Sequence, residues 1–157
     1  MLKPSNFYLY IILLIASYGC YQKNNTFKIQ EGDLLFQDLD SSSLCDGIEK
    51  VTQGYNNMNF SHIGIVTEIN NANYVLEAFN GVDTIKLEQF LSRSETEKSK
   101  TKVVVGRVKE KYRELIPKAI NYGINLIGLK YDEEFKINNN KFYCSELIYE
   151  IFYRANN

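Results

Sequence analysis

Histidine occurs once in this chain of 157 residues, as His62, and cysteine three times, as Cys20, Cys45 and Cys144. So few imidazoles and thiols give no pair of ligands at zinc-site spacing. Nor are there enough cysteines for the disulfide framework of a small secreted scaffold, although a Cys45–Cys144 disulfide is allowed. The formal net charge is −1 and no block of Lys or Arg interrupts the sequence, so nothing points to nucleic acid. A glycine-rich phosphate loop is missing, which leaves kinase-type and dinucleotide-dependent chemistry without a foothold. The apolar run from Phe7 to Ala16 is too short to span a bilayer.

That run follows Lys3 and precedes Gly19-Cys20, the layout of an export signal. Residues 1–19 are therefore expected to be a signal of the bacterial lipoprotein type, with Cys20 as the lipidated residue. Ser17-Tyr18-Gly19 departs from the usual Leu-Ala-Gly pattern at two positions, and plain secretion is the alternative. Residues 20–28 read as a polar tether. Residues 29–157 then form one domain with a core large enough to fold alone. The expected location is the cell envelope, at a membrane through the N-terminal lipid anchor.

Within the domain, Gly32 to Gln37 reads as a first strand. Ser41 to Ser43 can cap a helix from about Leu44 to Gln53, with Leu44, Ile48 and Val51 at helical spacing. Strands are expected at Ser61–Ile69, Tyr74–Phe79, Val82–Lys86 and Lys102–Val108, with a helical turn or two at Leu87–Leu91. The polar run Ser92 to Thr101 reads as a mobile surface loop. A longer helix starts near Glu114 and carries Leu115, Ile116, Ala119, Ile120, Gly123 and Ile127 on one face, with Pro117 in its first turn. After an irregular stretch, Leu129 to Phe142, the last helix opens at Cys144 and aligns that thiol with Leu147, Ile148, Ile151 and Phe152. Glu146 falls on another side of it.

Strand parity decides which side chains share a face. With a two-residue turn at Asn70-Asn71, Glu77 lies opposite Gly64, one diagonal step from His62, and diagonal neighbours are roughly 7–8 Å apart. A glutamate spans that distance, and Gly64 puts no side chain between. Its carboxylate could then orient the imidazole and leave the second ring nitrogen for a thiol. At the first turn of a helix, Cys144 meets partial positive charge and unpaired backbone donors, which favour a thiolate. Taken singly, Cys144 reads as a small core residue and His62 as a packed strand residue; their conjunction with Glu77 points to nucleophilic catalysis. Cys45, inside a helix beside Asp46, reads as structural.

The ordered set Glu31-Gly32-Asp33-Leu34-Leu35-Phe36, Ser61-His62-Ile63-Gly64-Ile65-Val66, Val75-Leu76-Glu77-Ala78, Tyr131-Asp132 and Tyr143-Cys144-Ser145-Glu146-Leu147 resembles the YiiX-like and YebB-like cysteine hydrolases. These form a circularly permuted papain-fold branch of the NlpC-type cell-wall peptidases. In unpermuted relatives the cysteine helix precedes the histidine strand; here the order is histidine, acid, cysteine. The resemblance implies an α+β fold, an antiparallel sheet packed against helices, with the nucleophile on the C-terminal helix. It further implies Cys144 as nucleophile, His62 as general base and acid, Glu77 as the orienting group, and Tyr131 as a substrate-binding residue beside the cleft. The implied reaction is cofactor-free cleavage of an amide bond through a cysteinyl acyl-enzyme, with no metal. Together with export, the resemblance suggests small peptides such as peptidoglycan stem peptides or their fragments as substrates. An acyltransferase or lipid-amide hydrolase similar to the lecithin–retinol acyltransferase group is the rival expectation, and a catalytically silent binding module the other.

Overall fold

The computed structural model describes residues 27–157 apart from 41–42, 53, 57, 95 and 97–99. The expected signal, Cys20 and most of the expected tether lie outside the described residues. The tether's last two residues are described: Arg107 stacks over the Phe27 ring, 4.8 Å from its centroid, and donates to the Lys28 carbonyl at 3.0 Å.

Among the described residues five antiparallel strands make one sheet: β1 (Leu34–Gln37), β2 (His62–Ile69), β3 (Ala72–Ala78), β4 (Val82–Lys86) and β5 (Val103–Gly106), in the order β4-β3-β2-β1-β5. The β2–β3 hairpin turns on Asn70 and Asn71 alone, both at positive φ, which asparagine tolerates better than most residues. The turn is tighter than the Asn-rich stretch Asn70 to Asn73 suggests, so β3 starts two residues earlier than Tyr74. Helices are α1 (Ser43–Glu49), α2 (Leu87–Ser92), α3 (Ile116–Ile124) and α4 (Cys144–Asn156), with a 3₁₀ segment at Glu110–Leu115.

Each face of the sheet has its own core. Ile65, Leu76 and Ala78 pack under Ala119 and Ile120 of α3 and Leu147, Ile148, Ile151 and Ala155 of α4. On the other face Leu35, Val66 and Val75 pack under Leu87 and Phe90 of α2. Alternation along β2 divides its residues between the two, as a strand covered on both sides requires. Gly123 lets α3 sit close, because a Cβ there would overlap Leu76 Cδ2.

Two helices differ from the expected pattern. The single helix expected from Glu114 divides into the 3₁₀ segment and α3, with Pro117 in the first turn of α3, where its missing N–H costs nothing. It stops at Ile124, capped by Asn125, so Ile127 is exposed rather than on the inward face. Helix α1 ends at Glu49, short of Gln53, and its apolar spacing does not mark a core face: Val51 is 86% exposed and Leu44 is exposed too. The helix stands beside the sheet as one wall of a cleft, and Leu44 and Ile48 face that cleft.

Candidate active site

His62 is the first residue of β2 and Cys144 the first of α4, so the two meet at the end of the sheet although α4 covers one face and the imidazole's partners lie on the other. Glu77 pairs opposite Gly64, the register that a two-residue turn at Asn70-Asn71 gives. Its Oε2 lies 2.7 Å from His62 Nε2, and Glu77 is only 2% exposed. The carboxylate is ionised, so Nε2–H donates to it. That assigns the other ring nitrogen, Nδ1, to the thiol, and a hydrogen bond joins His62 to Cys144. The ring is fixed from two further sides, with Phe79 edge-on at 5.4 Å and Phe90 tilted at 5.7 Å between centroids.

Burial by itself would lower the pKa of His62. The hydrogen bonds to Cys144 and Glu77, with the charges behind them, outweigh it and carry the imidazole from 6.5 up to about 9. Burial likewise pushes Glu77 up, and the bonds from His62 and Arg93 bring it below the ordinary carboxylate value. Ring and carboxylate therefore stabilise each other's charged forms.

Arg93 is the residue the sequence reading missed. Its Nη1 donates to Glu77 Oε2 at 2.8 Å and its Nη2 to Oε1 at 2.7 Å, while its Cζ sits 4.2 Å over the Phe79 ring. It belongs to the polar run from Ser92 that reads as surface loop, yet Ser94 beside it is buried. One signal was available: an imidazole engages a single oxygen of an inward-turned carboxylate, and the other oxygen needs a donor of its own.

The cleft beside the imidazole, about 440 Å³, is lined by Leu39, Leu44, Cys45, Ile48, His62 and Phe79, with Ser61, Asn80, Tyr131 and Glu133 completing it. Cys45 is thus in the cleft wall and not simply a helix packing residue. Cys45 and Cys144 are both buried thiols, with no disulfide between them. Tyr131 is one of the residues lining this cleft. Burial first, then the nearby Cys144 and Cys45, push its phenol up to about 12, so it holds its proton and can donate. Asp132, fully buried, accepts the backbone N–H groups of Glu134 and Lys136 at 3.1 and 2.6 Å and shapes the loop behind Tyr131.

The first turn of α4 departs from expectation at Glu146, which does not point clear of the protein. It is buried, accepts a bond from the Tyr143 backbone at the helix start, and leaves Oε2 unpaired. Burial raises its pKa, which weakens the negative charge it brings near the thiol.

The family model for permuted papain-like amidases of the YaeF/YiiX type, C92, matches residues 28–157. The chain belongs to this family, and with it to a class of amide-cleaving hydrolases. It is 29% identical over 152 residues to the uncharacterized protein YiiX of Escherichia coli strain K12, covering 94% of this chain and 67% of that protein. The crystal structure of YiiX from Escherichia coli O157:H7, described as a metalloprotein, is similar with a TM-score of 0.64 at 28% identity, over 80% of this chain and 66% of that one. The chain thus spans about two thirds of the length of these relatives.

The residues at the thiol do not fit a resident metal. Among the described residues, the one group of three His, Cys, Asp or Glu ligand atoms within 4.8 Å of one another is Asp38, Asp40 and Glu49. Lys102 already bonds Asp38 Oδ1 at 3.2 Å and Asp40 Oδ2 more closely still, so an ion there would have to displace an ammonium group.

Proposed function

We propose that the protein is a thiol-dependent amidase in which Cys144 attacks an amide carbonyl, and that its substrates are peptidoglycan stem peptides or related cell-wall peptides. The observation that carries this reading is the imidazole of His62 held by Glu77 through Nε2 while its other side bonds Cys144. In that arrangement the thiol proton passes to His62, and the thiolate adds to the carbonyl carbon. The first-turn N–H groups of α4 have no carbonyl within the helix to bond, so they face the developing oxyanion, with the Tyr131 hydroxyl as a second donor. His62 then protonates the amine as the C–N bond breaks, leaving a Cys144 thioester. Water, deprotonated by the neutral imidazole, releases the acid and regenerates the thiol.

The cell-wall substrate is supported by the family together with the expected export signal and lipid anchor. The apolar lining of the cleft, Leu39, Leu44, Ile48 and Phe79, supports a second reading, an acyltransferase or lipid-amide hydrolase that accepts an aliphatic acyl group. Incubation with stem peptides and with acyl lipids, followed by mass spectrometry of products and of the Cys144 peptide, separates the two. A stem-peptide fragment and a peptidyl mass on Cys144 are expected. An acyl-lipid adduct alone would move the assignment to the second reading, and no adduct from either would remove both.

A further inference from the structure

We propose that Arg93 is a positioning residue of the thiol site, whose guanidinium fork grips both oxygens of Glu77 and keeps Oε2 aimed at His62 Nε2. A glutamate has three rotatable side-chain bonds, and the imidazole engages only one of its oxygens. Left there alone, Oε1 of a residue 2% exposed would be a buried anion without a partner, which favours swinging away or taking up a proton. The two guanidinium bonds, 2.8 Å to Oε2 and 2.7 Å to Oε1, occupy both oxygens at once, a geometry that an ammonium cannot reproduce.

Arg93 is itself held in place by the sheet. Gln37, fully buried, pairs directly opposite His62 on β1 and sends its Nε2 to the Phe90 carbonyl at 2.6 Å and to Ser94 Oγ at 3.1 Å. Those two contacts bracket Arg93 on the turn that ends α2, and the Lys102 N–H fixes the same turn through the Ser94 carbonyl at 3.1 Å. The path closes on itself: His62 is laddered to Gln37, Gln37 pins the turn, the turn presents Arg93, Arg93 holds Glu77, and Glu77 holds His62. Charge is matched along it as well. Arg93 balances Glu77, so the imidazolium faces the thiolate without a second, uncompensated anion behind it.

The inference rests on the thiol-hydrolase reading, and alkylation tests it without a substrate. Full-length wild type, His62→Ala, Arg93→Ala, Arg93→Lys and Gln37→Leu are treated with iodoacetamide across pH 5 to 9, with folding checked by circular dichroism and Cys144 labelling quantified by peptide mass spectrometry. Arg93→Ala is expected to slow Cys144 labelling at pH 6 about tenfold, the effect of one pH unit on a thiolate population. Methylguanidinium should restore the rate saturably, since the Arg93 side chain is 25% exposed and the vacated site reachable, whereas methylammonium should not. Arg93→Lys is expected to recover only part, and Gln37→Leu to show a smaller loss with the same pH dependence. Labelling of the Arg93 variants that matches wild type at every pH, or that slows equally at every pH and ignores methylguanidinium, overturns the proposal. Should Arg93→Ala fail to fold, Arg93→Lys decides by the same comparison with wild type. Wild-type labelling no faster than that of His62→Ala would remove the thiol-hydrolase reading and this inference together. Fast wild-type labelling with unaffected Arg93 variants removes this inference alone.

Discussion

Glu77 faces Gly64 across the β2–β3 ladder, and the absent side chain at Gly64 does more than clear a path to His62. A Cβ on that glycine would overlap Val75 Cγ1 and come within 3.2 Å of Phe90 Cε2. Phe90 is the ring that packs on His62, so crowding here is transmitted to the imidazole. Gly64→Ala is expected to destabilise the fold by about 1–3 kcal/mol, the usual cost of overpacking a filled core, and to slow Cys144 alkylation beyond what unfolding accounts for. Chemical denaturation together with alkylation under native conditions checks both; an unchanged denaturation midpoint would show that Val75 and Phe90 yield freely.

Because His62 is the chain's only histidine, its ring resonances report on the site without assignment. They are expected to titrate near pH 9 rather than 6.5. Replacing Cys144 by alanine or Glu77 by glutamine removes a group that favours the imidazolium, so either change lowers the value. The sign for stability follows. A folded value above the unfolded one means that the contribution of His62 is fully present below pH 6.5 and is lost as pH rises through about 9. Turnover needs the imidazolium to protonate the leaving amine, so acylation should fall over the same alkaline limb. Titration of the wild-type ring near 6.5 would mean that neither partner engages it in solution.

The hairpin was legible because its side chains obey a period of two and its turn a short chemical rule. Asn70-Asn71 sets the register, the register puts Glu77 opposite Gly64, and His62 follows one diagonal away. The start of α4 was legible for a similar local reason, the apolar stripe of Leu147, Ile148 and Ile151 behind Cys144. Arg93 obeys no period. Its place depends on Gln37 drawing in the end of α2 from 53 residues away along the chain, and a polar run that folds inward through one turn looks, residue by residue, like one that stays in solvent. Helix α1 was legible as a helix, but it ends at Glu49 rather than near Gln53, and the side its apolar residues face was not legible. Leu44 and Ile48 are apolar at helical spacing because they wall a cleft, and spacing alone cannot distinguish that from a core.

Tyr131 separates binding of the oxyanion from activation of the thiol. Its phenol stays protonated across the working range, pushed up to about 12 by burial and by the two nearby cysteines, so Tyr131→Phe deletes a donor and changes no charge. Turnover on a cleaved peptide is expected to drop roughly tenfold to a hundredfold, up to the lower end of the range for losing one oxyanion donor. Iodoacetamide displacement develops no oxyanion, so Cys144 alkylation should keep its wild-type rate. Equal losses in both assays would instead make Tyr131 a packing residue of the cleft wall.

The clamp between Asp33 and Arg107 fixes the edge of the sheet from which the N-terminal segment departs. Arg107 Nε and Nη2 each meet one oxygen of Asp33 at 2.8 Å, and the Gln30 N–H bonds the same carboxylate at 3.0 Å. Burial pushes Asp33 up, but these bonds bring its pKa below 3.8. A depressed folded value means that this contribution is present above pH 3.8 and is lost as pH falls through the lower folded value. Asp33→Ala removes the shared acceptor and is expected to cost roughly 2 kcal/mol, most of it from donors left without a partner. Arg107→Ala acts on a different observable. It frees the Lys28 carbonyl and uncovers Phe27, so trypsin should cut after Lys28 several times faster while Cys144 alkylation stays unchanged. Cleavage at the wild-type rate would show that residues 27–28 are held by something other than Arg107.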